Sequence, residues 1–280
     1  MIKGHPHGCP FLSDQSIAIC SLLWYNKARQ KLDREVLMDT VKKPKLGLTN
    51  NQLKIIAMVS MLLDHMGLLF FPAVAIFRIL GRIAFPIFAY MIAEGCRYTK
   101  NRTKYLGMIG GMAILFQIVY FVAMQSLYQG ILVTFSLSII AIYSIDGIVK
   151  SKKIWERLAG VGALLCVVAF AFVLPHFLKN TDFDIDYGVW GILLPILVYF
   201  MPSRPWQIGA ASVFLLIRVL YYLFIIPIPI QAWSLLAVPL LALYNGKRGK
   251  AKMKYLFYIF YPAHLVILYG IAMLIMILQQ

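Results

Sequence analysis

The chain has 280 residues, 61% of them hydrophobic and only 14% charged, and its 27 Lys and Arg against 11 Asp and Glu give a net charge of +16. A soluble domain is nearer half apolar and a quarter charged, so this composition excludes an ordinary soluble globular protein. The positive charge is gathered in short connectors between apolar runs, which argues against nucleic acid as a partner and for a lipid bilayer.

Residues 1–50 differ from the rest: they hold much soluble-looking charge, and "SIAICSLLWY" (16–25) is too short to span a membrane. No cleavable small-residue site follows a longer apolar region, so the segment reads as a cytoplasmic extension, interfacial or disordered, rather than a secretory signal. "HPHGC" (5–9) gathers metal-ligand types in a terminal segment, where they rarely form a site, and no metal is expected. Cys9, Cys20, Cys96 and Cys166 form no CxxC and imply no disulfide framework.

From residue 53 onward the apolar runs predict helices over 53–71, 76–95, 105–125, 130–148, 155–176, 187–201, 206–226, 230–244 and 255–277. The expected fold class is therefore all-α: a polytopic transmembrane helical bundle of about nine spans. The runs at 187–201 and 230–244 fall short of a full crossing and are expected to be half-buried or partly re-entrant. Alternate connectors are basic: "CRYTKNRTK" (96–104), "KSKK" (150–153) and "NGKRGKAKMK" (245–254). The intervening ones, "FPAVA", "QSLYQG", "PHFLKNTDFDIDYG" and "IPIPIQ", carry one lysine between them. By the positive-inside rule the N-terminus is cytoplasmic and the C-terminus outside.

Ionisable residues within spans are costly and usually functional. Asp64 and His65 lie in the first span, Arg78 and Arg82 in the second with Glu94 at its inner end, Asp146 closes the fourth, Asp186 opens the sixth, Arg218 is in the seventh and His264 in the ninth. At a rise of about 1.5 Å per residue, His65 sits roughly 18 Å and His264 roughly 14 Å above the inner face, and Arg82 roughly 9 Å below the outer one. In a core about 30 Å thick these three meet near the middle. Each also has a plainer reading: Asp64 and Arg82 as a buried ion pair, Arg78 as a snorkelling interfacial residue, Glu94 and Asp146 as inner-end acids solvated or paired with nearby cations. Two histidines at one depth favour function, with a histidine as general base, a carboxylate orienting its ring and an arginine holding an oxyanion or phosphate. No serine elbow, Walker loop, GxGxxG or HExxH is present. A proton-coupled transporter or flippase would use the same buried Asp, His and Arg, although no paired half-repeats are seen.

"LKIIAMVSMLLDHMG" (53–67), "FRILGRIAFPIFAYMIAEGCRYTKNRTKYL" (77–106), "DYGVWGILL" (186–194), "YNGKRG" (244–249) and "FYIFYPAHLVIL" (257–268), in that order, resemble the TraX family of integral-membrane acetyltransferases. The resemblance covers residues 50 to 280 and implies a multi-pass acyltransferase of the cytoplasmic membrane, with acetyl-CoA as co-substrate. It implies a peptide amine, as in a pilin N-terminus, or a surface-polymer acceptor, and leaves a homo-oligomer open. It points to Asp64, His65, Arg82 and His264 as catalytic residues and also brings in Gly81, Asp186, Tyr187 and Gly188. Arg78, Glu94, Arg97, Lys100, Arg102, Lys104, Lys247 and Arg248 are implied as acyl-CoA contacts, against the alternative that these inner charges only set topology. Residues 1–50 have no counterpart in the resemblance.

Overall fold

The computed structural model describes residues 47–249 and 253–279, so the expectations for residues 1–46, including "HPHGC", lie outside the described residues. The elements in chain order are α1 (Asn50–Leu69), α2 (Ala75–Gly81), α3 (Ala84–Tyr98), α4 (Arg102–Met124), α5 (Ile131–Lys150) and α6 (Ile154–Val168). α6 continues through a π turn (Ala169–Val173) into α7 (Leu174–Phe177). Then follow α8 (Gly188–Phe200), α9 (Arg204–Phe224), a 3₁₀ segment (Pro229–Leu236) running into α10 (Ala237–Ala242), and α11 (Lys254–Leu278).

Among the described residues seven helices are long and apolar enough to cross a membrane, with two shorter apolar ones at 188–200 and 229–242. This is a polytopic membrane protein, and the two shorter helices coincide with the two runs expected to fall short. α8 has 13 residues, about 20 Å at the helical rise, which cannot cross a core of about 30 Å. It is buried along Gly191, Leu194, Val198 and Tyr199, so it is an internal helix. Broad apolar faces on α4 (Ile114, Ile118, Val122) and α6 (Leu158, Leu165) are exposed, as lipid-facing surfaces are.

Three local features place the site. α1 starts on a capping box: Thr49 accepts from the Gln52 N–H while the Gln52 side chain accepts from the Thr49 N–H at 2.8 Å. α2 and α3 form one crossing that breaks at Arg82–Ile83. Pro86 lacks the N–H that would bond the Arg82 carbonyl, so the helix cannot run straight through this point. The connectors at each end are also stitched together. At one face Leu48 and Asn50 donate to the carbonyls of Leu243 and Lys247, both at 2.8 Å, which brings Arg248 beside the start of α1. At the other face Gln129 donates to the Asp184 carbonyl at 2.7 Å and accepts from the Asp186 N–H at 2.9 Å.

Candidate functional site

Asp64, on α1, receives a hydrogen-bonded ion pair from Arg82 and a second from Arg78 at 3.1 Å. The helices come this close because of Gly81: a Cβ there would overlap the Asp64 side chain. Sequence position suggests a snorkelling Arg78, but the side chain is turned inward onto Asp64, because residues 78 and 82 stand one helical turn apart on the same face. Asp64 Oδ1 and Arg82 Nε are buried without a hydrogen-bond partner among the described residues, so each ion retains one unspent polar atom.

The expectation that Asp64 orients His65 is corrected. Consecutive helical residues point about 100° apart, and Asp64 faces α2 while His65 faces α11. The His65 ring is held by its own helix, with Nδ1 2.8 Å from the Met61 carbonyl. His264 repeats the arrangement, with Nδ1 2.8 Å from the Phe260 carbonyl. A carbonyl only accepts, so both Nδ1 atoms carry the proton and both Nε2 atoms of the neutral rings are lone-pair bases. The rings meet edge to face with centroids 5.1 Å apart, and His264 Nε2 is buried without a partner. The depth estimate made from sequence thus brings the two histidines together.

Two cavities lie end to end. The larger, about 520 Å³, is lined by Asp64, His65, Arg78, Arg82, Asp186 and Tyr187 among others. The smaller, about 160 Å³, opens at the basic face beside Asn50, Asn51, Lys54 and Arg248 and has no carboxylate in its lining. Met61, Phe88, Ile131 and Tyr261 line both.

The far wall of the larger cavity sets Asp186 and Tyr187 beside residues that sequence reasoning passed over, Tyr128, Phe85 and Gln231, with Arg218 packed behind them. The Asp186 carboxylate accepts from the Tyr128 hydroxyl at 3.0 Å, and Tyr187, in left-handed backbone with φ 59°, stacks on Phe85 at 3.9 Å. Arg218 is buried against Phe85, Tyr187 and Tyr222, with its guanidinium 4.9–5.4 Å from their ring centres. Arg218 donates to Gln231 Oε1 at 2.9 Å. A guanidinium only donates, so the Gln231 amide must turn its oxygen to Arg218, leaving its NH₂ for the cavity that it lines. Beyond the cavity, the exposed Asp182 joins the two outer connectors by accepting from the Leu127 N–H at 2.9 Å. The Ser126 hydroxyl and that N–H hold its carboxyl below the usual range.

The other charges expected at a site are elsewhere. Arg97 spans the end of α8, donating to the carbonyls of Tyr199 at 2.6 Å and Met201 at 3.0 Å. Glu94 accepts from Tyr244 at 3.1 Å, and Arg102 pairs with the buried Asp146 at 2.6 Å. Lys100, Lys104 and Lys247 line neither cavity, whereas Arg248 lines the smaller one. Lys54, which sequence reasoning did not single out, joins it there. No group of three or more His, Cys, Asp or Glu able to hold a metal occurs among the described residues.

Comparison with known proteins matches residues 49–272 to the family model described as TraX protein. Over 243 residues, 78% of this chain and 93% of the relative, the chain is 25% identical to a "Probable fimbrial assembly protein FimC, serogroup H1" from Dichelobacter nodosus. Over 58 residues, 20% of this chain and 23% of the relative, it is 41% identical to "Uncharacterized protein RP591" from Rickettsia prowazekii (strain Madrid E). No solved structure matches it. The match to the family model runs over most of the chain and takes in both histidines, Asp64, Arg82 and Asp186, so the chain belongs to the TraX family.

Proposed function

We propose that the protein is a multi-pass acetyltransferase of the cytoplasmic membrane, moving an acetyl group from cytoplasmic acetyl-CoA to a peptide amine, as on a pilin-like N-terminus. The observation that carries this reading is the position of His65. With Nδ1 committed to Met61, its Nε2 is free, and the ring lines the larger cavity one helical turn from Met61, which lines that cavity and the cation-mouthed one alike. The basic face is cytoplasmic by the positive-inside rule. Lys54 and Arg248 suit the phosphates of CoA there, with Asn50 and Asn51 as neutral partners. From Lys54 to His65 is about 16 Å along α1, a distance the extended pantetheine arm can reach. Family membership and the resemblance to a fimbrial assembly protein support a peptide acceptor of a surface fibre.

In the transfer the acceptor amine attacks the thioester carbonyl carbon as His65 Nε2 takes the amine proton. The carbonyl oxygen gains the negative charge, and the unspent N–H of Arg82 is the donor at hand to receive it. The C–S bond then breaks, the acetyl group stays on nitrogen as an amide, and the thiolate of CoA leaves with the proton that His65 Nε2 took from the amine, which returns the ring to its neutral form. His264, edge-on to His65, is the second base in reach of that proton.

The test uses the full chain in lipid nanodiscs with radiolabelled acetyl-CoA and a peptide bearing a free N-terminus, reading labelled peptide and free CoA thiol together. Both should appear in equal amounts. His65→Gln keeps size and polarity but shuttles no proton, so it should lower the rate about 10²–10⁴-fold. A wild-type chain that yields neither product would sink the acyltransferase reading, and proton-coupled solute uptake by the same chain in sealed vesicles would favour the transporter. Transfer by the glutamine variant at the wild-type rate would remove His65 from the chemistry.

A further inference from the structure

The two cavities are separated by side chains from four different helices: Met61 on α1, Phe88 on α3, Ile131 on α5 and Tyr261 on α11. This partition is almost wholly apolar, with the single phenol of Tyr261, while both cavities beyond it carry cations. Met61 and Ile131 are buried. Tyr261 is wedged against Phe116 with ring centres 5.2 Å apart. It closes against the start of α5 where there is no side chain in the way: a Cβ on Gly130 would sit 3.1 Å from the Tyr261 hydroxyl. Both histidines are mounted on the partition. The Met61 carbonyl fixes the His65 ring, and the Tyr261 and His264 rings lie 5.8 Å apart. Pro262 follows Tyr261 inside α11 and removes a helical hydrogen bond, so the helix is weakest where it carries both residues.

We propose that Met61, Phe88, Ile131 and Tyr261 form a port through which the acyl thioester reaches the histidines from the basic-face cavity, and that closure around it keeps the water of the larger cavity from hydrolysing it. The inference rests on the acetyltransferase reading above and adds to it a coupling function for four residues that perform no chemistry. A thioester at the histidines can be attacked by the acceptor amine or by water. In the second case a water oxygen bonds to the carbonyl carbon, the C–S bond breaks, and acetate and CoA thiol are released with no amide formed. Apolar packing around the thioester excludes that competitor while leaving the acceptor's approach from the other side open.

The experiment compares CoA thiol release with and without acceptor peptide, using the full chain in nanodiscs supplied with acetyl-CoA. In the wild type release should depend on acceptor. Phe88→Ala merges the two cavities and should raise acceptor-independent release severalfold, with acetate as the product and a lower yield of acetylated peptide per CoA released. Ile131→Ala opens the opposite wall and should do the same, which keeps the test alive if one variant fails to insert. Tyr261→Phe keeps the ring and should stay coupled. If the wild type transfers acetyl and both alanine variants keep its ratio of amide to thiol, the port is overturned while the transfer reading stands. If the wild type transfers nothing, the reading beneath it falls first.

Discussion

Among the described residues two membrane-region carboxylates, the buried Asp146 and the partly buried Asp64, are each held by two cations, and they differ in every respect that decides function. Asp146, at the basic end of α5, takes hydrogen bonds from Arg102 at 2.6 Å and Tyr199 at 2.6 Å and a salt bridge from Lys150 at 2.7 Å. It lines neither cavity, and its two cations are largely exposed, 46% and 42%. Asp64 is also doubly paired, but its Arg82 is only 8% exposed, both partners lie on one helical crossing, and all three line the larger cavity. The first cluster ties three helices together at the surface. The second holds a buried guanidinium with a spare N–H at the edge of an empty space. An acid among bases is thus a structural tie where its donors reach solvent, and a candidate for chemistry where they face a cavity.

The largest expected effect breaks the second cluster. Arg82→Gln removes the N–H proposed above as the oxyanion donor and should lower transfer about 10²–10³-fold. It also leaves Asp64 with only Arg78, so stability should fall as well. Adding Asp64→Asn to Arg82→Gln removes the stranded charge and should restore the unfolding midpoint without restoring transfer. Recovery of both together would make this cluster a mere tie, like that of Asp146.

The mirror experiment at the first cluster comes next in size. Asp146→Asn should cost about 1–3 kcal/mol of stability, toward the low end because Arg102 and Lys150 can turn to water. Activity per folded molecule should not change. Denaturant titration in detergent beside a transfer assay on the same sample separates the two, and a rate lowered at equal folded fraction would contradict the structural role.

Much of this contrast was legible in the sequence. Hydropathy located the crossings and the two short helices, and counting residues from helix starts brought His65, His264 and Arg82 to one depth. Partner choice was legible for the Asp64–Arg82 pair and for the cations around Asp146, but not for His65. Asp64 and His65 are adjacent in sequence yet diverge around the helix, so the natural guess of an Asp–His pair gave way to two backbone carbonyls at i−4. Nor could periodicity reveal Lys54 and Gln231. Lys54 begins a span and reads as a topology signal, and Gln231 sits in a 3₁₀ segment whose proline-rich apolar run resembles a short crossing. Both acquire meaning only when connectors far apart in the chain are stitched together.

Arg218 sharpens the comparison from another side: among the described residues it is a buried cation held by three aromatic rings with no carboxylate in an ion pair. Cation–π contacts offset part of its burial, and its hydrogen bond sets which way Gln231 faces. Arg218→Met fills the same space but frees the amide to flip. Losing one oriented hydrogen bond of about 1 kcal/mol should raise the acceptor KM roughly fivefold with kcat nearly unchanged. Gln231→Leu should reproduce the effect, and a fall in kcat alone would place the pair in the chemistry instead.

The smallest effect belongs to the exposed Asp182, whose carboxylate joins the two outer connectors through the Leu127 N–H. Its folded-state affinity for protons is lowered, chiefly by the Ser126 hydroxyl, so the unfolded chain binds the proton more readily. The sign follows: the contribution to stability is fully present above the ordinary carboxylate pKa of about 3.9 and is lost as pH falls through the lower folded value. Protection of the Leu127 amide from hydrogen exchange should therefore step down on acidification, and Asp182→Asn, which cannot ionise, should remove the step.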